Sequence, residues 1–298
     1  MKDIKEIYAI NYVHDNIIYS LDMFRLKTYM DFDTFSSLHF YLRTFTQFGH
    51  IKKYWIDDRV QCFKYNFTIE TQEGNSFYIG FRHNNEKSDD HEGKYNFTIE
   101  FNPNKIKDNP ILLHILDLGF KWYIKSYDIA FDIRTSINNL IWDMSGRNIE
   151  KIDNRGFDNK TIMLGKGDGR VKIYNKKRES DLSITGELTR IEISREIEDF
   201  PVSDVKILHY DNNFPNVYMA NYIYTIDDYK DKTTIALLYA IQNGFPLKDL
   251  TKTYRKKIKS MLEGGYKIKF SNKVVSDLLR QTIFHYFVRP GKSKQIIF

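Results

Sequence analysis

Between Phe63 and Ser194 apolar and polar residues alternate with a period of two, and no other feature restricts the fold of this chain so tightly. Strict alternation is the pattern of strands that bury one face and present the other to polar surroundings. Tyr65, Phe67 and Ile69 alternate with Asn66, Thr68 and Glu70, and the run Lys64-Tyr65-Asn66-Phe67-Thr68-Ile69-Glu70 recurs as Lys94-Tyr95-Asn96-Phe97-Thr98-Ile99-Glu100. Two copies are too few for a solenoid, so the repeat predicts paired strands of one sheet. Tyr19–Leu26, Ser76–Phe81, Ser126–Ile133, Thr161–Leu164, Arg170–Lys176 and Leu188–Ser194 are further strand candidates. A short apolar helix over Ile111–Leu118, closed by Gly119, interrupts them.

After Pro201 the period lengthens. Thr233–Gln242 ending at Gly244, Leu247–Leu262 ending at Gly264 and Asn272–Phe287 ending near Pro290 read as helices. The class is therefore α+β, a mainly antiparallel sheet followed by a helical region, divided into residues 1–205 and 206–298. The charge divides in the same way. Residues 251–298 hold twelve Lys or Arg against two acids, a net +10 within a chain whose total is +6, so residues 1–250 sum to −4. A basic end on a faintly acidic body suits a polyanionic partner, while a solvated charged helix accounts for it equally. On the second helix Leu247, Leu250, Tyr254, Ile258 and Leu262 share a face, and Lys252, Arg255, Lys256 and Lys259 cover much of the rest.

Several classes of function fall away. One cysteine, Cys62, precludes a disulfide framework and a Cys-based zinc site. The most apolar segment, Ile111–Phe120, is about half the ~20 residues a membrane span needs, and Met1–Glu6 lacks a signal-peptide core, so a soluble, cytoplasmic protein is expected. The eight histidines form no ligand pair at metal spacing. Gly165-Lys166-Gly167-Asp168-Gly169 joins two strand candidates with no helix following, which predicts a hairpin turn and not a phosphate loop.

The polar faces of the strands carry the candidate chemistry. With Tyr127, Ile129, Phe131 and Ile133 in the core, Asp128 and Asp132 share the opposite face. The same parity exposes Glu100 beside Ile99, Arg190 and Glu192 around Ile191, and Lys172, Tyr174 and Lys176 around Ile173. On one sheet these become four carboxylates, three cations and a tyrosine on a single face. Hard carboxylate oxygens suit Mg²⁺ or Mn²⁺, and a phenol of ordinary pKa ~10 needs nearby cations or a metal to act as a nucleophile near neutrality. Cross-strand pairing of charges on a solvated sheet surface explains the same residues without chemistry.

Four blocks add a resemblance. Ile99-Glu100-Phe101-Asn102-Pro103-Asn104-Lys105, Tyr127-Asp128-Ile129-Ala130-Phe131-Asp132, Val171-Lys172-Ile173-Tyr174-Asn175-Lys176-Lys177 and Arg190-Ile191-Glu192-Ile193 resemble, in order and spacing, the trans-acting plasmid rolling-circle replication initiators. The resemblance is clearest over residues 94–200. It implies a nuclease/transesterase core that nicks one strand at a plasmid origin and stays joined to the 5′-phosphate through a tyrosine, here Tyr174. It further implies Mg²⁺ or Mn²⁺ on Asp128, Asp132, Glu192 and Glu100, with Lys176 and Arg190 at the scissile phosphate or phenolate. Origin DNA would be read by Lys252, Arg255, Lys256 and Lys259, with Lys172 also on DNA. A homodimer serving a host helicase and polymerase is the family's habit. The His-hydrophobic-His motif of the wider class of rolling-circle nucleases is missing from the sequence. A relaxase of a conjugative element and a non-catalytic origin-binding initiator are the competing readings.

Overall fold

The structure, a computed structural model, describes residues 11–44, 49–55, 62–86, 92–143, 149–154, 160–179, 186–210, 214–219, 231–242, 245, 247–263 and 266–288. The helix-ending residues Gly244, Gly264 and Pro290 lie outside them. The chain opens with β1 (Asn11–His14), β2 (Ile17–Met30), α1 (Phe32–Thr44), β3 (Gly49–Trp55), β4 (Phe63–Thr71), β5 (Ser76–His83) and β6 (Tyr95–Phe101). It continues through α2 (Pro110–Leu116), β7 (Tyr123–Ile133), β8 (Leu140–Asp143), β9 (Ile149–Asn154), β10 (Lys160–Leu164), β11 (Val171–Asn175), a single turn α3 (Lys176–Glu179) and β12 (Thr189–Pro201). The last elements are β13 (Asn216–Met219), α4 (Lys232–Gln242), α5 (Lys252–Glu263), β14 (Tyr266–Lys267) and α6 (Asn272–Phe287).

Eleven strands form one antiparallel sheet in the order β3-β4-β5-β6-β2-β7-β12-β11-β10-β9, with β1 also paired to β2. The α+β class read from the alternation is the class observed. The duplicated segments become β4 and β6, but they are not neighbours. β5 lies between them and pairs with both, Ile79 facing Phe67 on one side and Ile99 on the other. The repeat therefore specifies two equivalent half-buried strands, and the short connections through β5 set their partners. Gly165–Gly169 forms the β10–β11 turn, with Gly165, Gly167 and Gly169 all at positive φ, as a hairpin requires.

One face of the sheet is roofed by helices. Phe35, Leu38 and Leu42 of α1, Ile111, Leu112 and Ile115 of α2, and Val275, Leu278, Leu279, Ile283 and Tyr286 of α6 join the strand residues in one core. Each helix starts where its sequence supplies a cap. The Asp31 carboxylate accepts from the Thr34 N–H at 2.7 Å, Asn109 accepts from the N–H groups of Ile111 and Leu112 at 3.1 Å with Pro110 following, and Ser271 accepts from Val274 at 3.3 Å. The expected helix over Leu247–Leu262 is instead a 3-10 turn, Leu247–Asp249, followed by α5. Asp249 and Thr251 interrupt it, because short polar side chains compete for the backbone and favour helix starts. The new helix begins with the Arg255 N–H bonded to the Thr251 carbonyl at 2.9 Å.

The division at residue 205 does not coincide with a break in packing. β8 pairs with β13, and β13 with β14, in a second sheet over which α4 and α5 build a smaller core with Ile141 and Tyr218. α6 returns to the large core, where the Tyr286 hydroxyl donates to the Ile106 carbonyl at 2.8 Å. A fragment ending at residue 205 strips the face that α6 covers and is expected to lose cooperative unfolding in calorimetry, while the full chain keeps it. Among the described residues no helix is long and apolar enough to cross a membrane.

Candidate active site

The face of the sheet opposite α1, α2 and α6 carries the polar residues, and a β-bulge sets its centre. In β2 the core set is Ile17, Tyr19 and Leu21, then Phe24 and Leu26, so the parity changes once. The change falls where the β2–β7 register slips between Leu21 and Met23. A bulge adds a residue to one strand and re-aims its side chain. The residue is Asp22. The turn after β6 holds it from the side: Asn102 donates to the Asp22 carboxylate at 3.2 Å, and Asn104 donates to the Leu21 carbonyl at 2.6 Å.

Across the strands the open-face residues fall into rows. Ile18, Asp132, Arg190 and Tyr174 are successive cross-strand partners from β2 to β11, and Ser20, Ala130, Glu192 and Lys172 form the next row. Arg190 is fully buried, and its guanidinium forks onto Asp132 through Nε and Nη2, each at 2.7 Å, while Nη1 donates to Asp22 at 2.7 Å. The Tyr174 hydroxyl donates to Glu192 Oε1. Lys172 stands 4.1 Å above the Tyr174 ring centroid and 3.9 Å from Glu192, and Lys176 lies 5.6 Å from the same centroid. Small Ala130 between the two aspartates of β7 leaves room for Glu192 opposite it.

The electrostatics follow from burial and from Asp22. Burial, reinforced by the negative charge of Asp22, pushes the Glu192 carboxyl up from its usual 4.5 to about 7, against the pull of its Tyr174 bond, Lys172 and Arg190. Asp22 moves the other way. Burial opposes its ionisation, but Arg190, Lys176 and hydrogen bonds from Glu192 and Asn102 outweigh it and hold the carboxyl below its ordinary value. Burial and the Glu192 charge raise the Tyr174 phenol well above its usual 10. Asp128 is also raised, by burial and by the charges of Asp22 and Glu100, although Ser194 and Arg170 work against this. The charge of Asp22 thus disfavours ionisation of both Glu192 and Asp128, while Arg190 and Lys176 keep Asp22 itself ionised.

The expected residues distribute unevenly over this geometry. Tyr174, Glu192, Lys172, Lys176 and Arg190 come together. The cations were expected to ease ionisation of Tyr174, yet its phenol is held protonated, since burial and the adjacent Glu192 outweigh Arg190. Arg190, expected at the phosphate or phenolate, is sealed at 0% exposure with its guanidinium paired to Asp22 and Asp132. Asp132 was expected as a metal ligand, but both of its oxygens are held by Arg190. Glu100, expected in the same set, is bound by Arg25, whose Nε lies 2.6 Å from Oε2. Among the described residues no three His, Cys, Asp or Glu side chains converge as a ready metal cage. Asp22 was not anticipated. Its signal is the parity break in β2, visible as Leu21 and Phe24 three residues apart in a pattern of two. On α5, Lys252, Lys256 and Lys259 are exposed, and a shallow groove of about 550 Å³ runs past Lys252, Thr253, Lys256 and Ser260. Arg255 instead donates to the Leu250 carbonyl at 2.9 Å and to that of Lys248, which ties the helix to the preceding turn.

No family model and no curated protein sequence matches the chain. Among solved structures it is similar to the rolling circle replication initiator protein from Geobacillus stearothermophilus, with 11% identity over 83% of this chain and 97% of that one and a TM-score of 0.37.

Proposed function

We propose that this chain initiates rolling-circle replication of a plasmid as a nicking–closing transesterase with Tyr174 as nucleophile. The observation that carries the reading is the bond from the Tyr174 hydroxyl to Glu192, a buried carboxylate that titrates near neutrality. A phenol held protonated needs a base at the moment of attack, and a base with a pKa near the working pH is the effective one. The four blocks that resemble the initiators supply every member of this constellation except Asp22, and the sheet brings them onto one face.

In the reaction, Tyr174 Oη attacks the scissile phosphorus while its proton passes to Glu192. The O–P bond forms as the bond from phosphorus to the 3′-oxygen breaks, and that oxygen takes the proton from Glu192. The 5′-phosphotyrosyl link keeps the phosphodiester energy, so the reverse attack by a 3′-hydroxyl rejoins a strand without ATP. Lys172 and Lys176, over the Tyr174 ring, offset the charge that develops on phenolate and phosphate. Arg190, pinned by Asp132, fixes Asp22 at the centre of the face.

Mg²⁺ or Mn²⁺ would sit at Asp22, an ionised carboxylate whose charge reaches both Glu192 and Asp128. Such ions take one or two carboxylates and complete their shell with water and substrate phosphate. Asp22 would hold the ion, with Asp128 beside it, and the ion would polarise the phosphoryl group, while Glu192 stays on the Tyr174 hydroxyl as its base. Origin recognition is assigned to the exposed Lys252, Lys256 and Lys259, which suit phosphate contacts. A homodimer on an inverted-repeat origin, loading a host helicase and polymerase, completes the reading.

The test is incubation of the protein and of Tyr174→Phe with supercoiled plasmid carrying its own origin and Mg²⁺ or Mn²⁺. Origin-specific nicking that the substitution abolishes supports the reading. Tight origin binding with no nick by either protein sinks it in favour of a non-catalytic initiator. Nicking by the parent should also rise with pH through about 7, as Glu192 loses its proton and becomes able to accept that of Tyr174. A profile flat from pH 6 to 8 rules out Glu192 as the base.

A further inference from the structure

Past the Asp22 bulge the open face carries a second group of side chains that nicking chemistry does not use. β2 presents Arg25, Lys27 and Tyr29 there at a spacing of two, and Tyr123 of β7 is the cross-strand partner of Lys27. A second bulge, between Arg25 and Leu26, makes Lys125 the extra residue of β7. The cations lie on the rings: Lys27 is 5.1 Å from the Tyr29 centroid, and the exposed Lys121 is 5.3 Å from that of Tyr123. The two tyrosines meet edge to face at 6.4 Å. Tyr29, Tyr123, Arg25 and Lys125 are half-buried.

Four cations crowd this stretch. Glu100 answers Arg25, and Asp199 lies 2.5 Å from Lys27. Lys125 is nevertheless held below its ordinary value, by burial and then by the charges of Arg25 and Lys27, which Asp199 and Glu196 do not cancel. Lys27 is itself buried and paired with Asp199, but the half-buried rings of Tyr29 and Tyr123, with exposed Lys121 and half-buried Arg25 and Lys125 beside them, match what single-stranded nucleic acid requires: flat rings for bases and cations for the phosphates between them. From Asp22 to Tyr29 is seven residues of strand, roughly 23 Å at ~3.3 Å per residue, enough for several nucleotides.

We infer that the Arg25–Lys27–Tyr29 edge of β2 with Lys121, Tyr123 and Lys125 is a track for single-stranded DNA, leading the substrate strand across the sheet to Tyr174. The inference rests on the nicking reading for its direction, while the binding stands or falls independently. Sequence tolerance is expected, because every base offers a ring face and the track supplies no base-edge code.

The test is fluorescence anisotropy with labelled oligo(dT) of ~20 nucleotides and the dA–dT duplex of equal length. The proteins are the parent, the pair Tyr29→Ala with Tyr123→Ala, the pair Tyr29→Phe with Tyr123→Phe, and the pair Lys121→Gln with Lys125→Gln. The alanine pair should weaken oligo(dT) binding by about ten-fold or more, and the phenylalanine pair, which keeps both rings, should recover most of that loss. The glutamine pair should reduce the salt slope by about 1.4, two single-strand phosphate contacts. If the alanine pair fails to fold in a thermal melt, the salt slope decides alone. Oligo(dT) binding unchanged in the alanine and glutamine pairs overturns the track, as does duplex binding that is equally tight and equally impaired. A parent that nicks while the alanine pair binds normally defeats the track alone. A parent that binds through the track yet never nicks defeats the nicking reading alone.

Discussion

Replacing Arg190 by methionine is expected to destabilise the protein by about 3–5 kcal/mol, the loss typical of a buried ion pair stripped of one partner. The side chain is fully buried and bonds Asp132 twice and Asp22 once, each at 2.7 Å. Asp132 is equally buried, so removal of the guanidinium leaves a carboxylate with no solvent to turn to. Arg190→Lys should recover only part of the loss, because an ammonium cannot reproduce the fork that meets both Asp132 oxygens. Adding Asp132→Asn to Arg190→Met should recover more than either exchange alone predicts. Denaturant titration of the parent, the three single exchanges and the double variant measures this. Simple additivity would show that the pair contributes packing and little electrostatics.

Glu192→Gln is expected to separate activity from stability. Nicking should fall by about 10²–10⁴, the contribution of a placed general base. Stability at pH 8 should rise. The Glu192 carboxyl titrates at about 7 in the fold against 4.5 ordinarily, so the folded chain binds more protons than the unfolded one between those values. Stability from this group is therefore complete below about pH 4.5 and declines as pH rises through about 7. Glutamine resembles the protonated form, accepting from Tyr174 through its carbonyl and donating toward Asp22 through its amide, and carries no buried charge. A gain of about 1–3 kcal/mol at pH 8, shrinking toward zero near pH 5, is the expected result. Thermal melts across that range would contradict the account if the glutamine protein were the less stable at pH 8.

These two residues also show what was legible in the sequence. Alternation in β7, β11 and β12 placed Asp132, Tyr174, Arg190 and Glu192 on one polar face, because strand parity is a local property that needs no knowledge of neighbours. Which side chain pairs with which is a matter of register, and register emerges only when the sheet is assembled. Arg190 therefore read as a cation for phosphate, when its row sets it between Asp132 and Tyr174 and buries it. β4 and β6 carry the same heptapeptide, yet pairing through β5 keeps them apart. The break of parity at Asp22 was present in the sequence but gains meaning only from a bulge beside the site. α6 was legible over its full span, Asn272–Phe287, since a capped amphipathic helix announces both ends. That it belongs to the large core and not to α4 and α5 is a tertiary fact beyond helical periodicity.

The central claim is that a phosphotyrosyl bond forms at Tyr174. The most direct measurement is to trap the protein on a single-stranded oligonucleotide spanning its nick site with Mn²⁺, digest the adduct and locate the nucleotide-bearing peptide by mass spectrometry. The account predicts a 5′-phosphate on Tyr174, within the Val171–Asn175 strand. A nick whose phosphate is carried by any other residue, or by none, would contradict it.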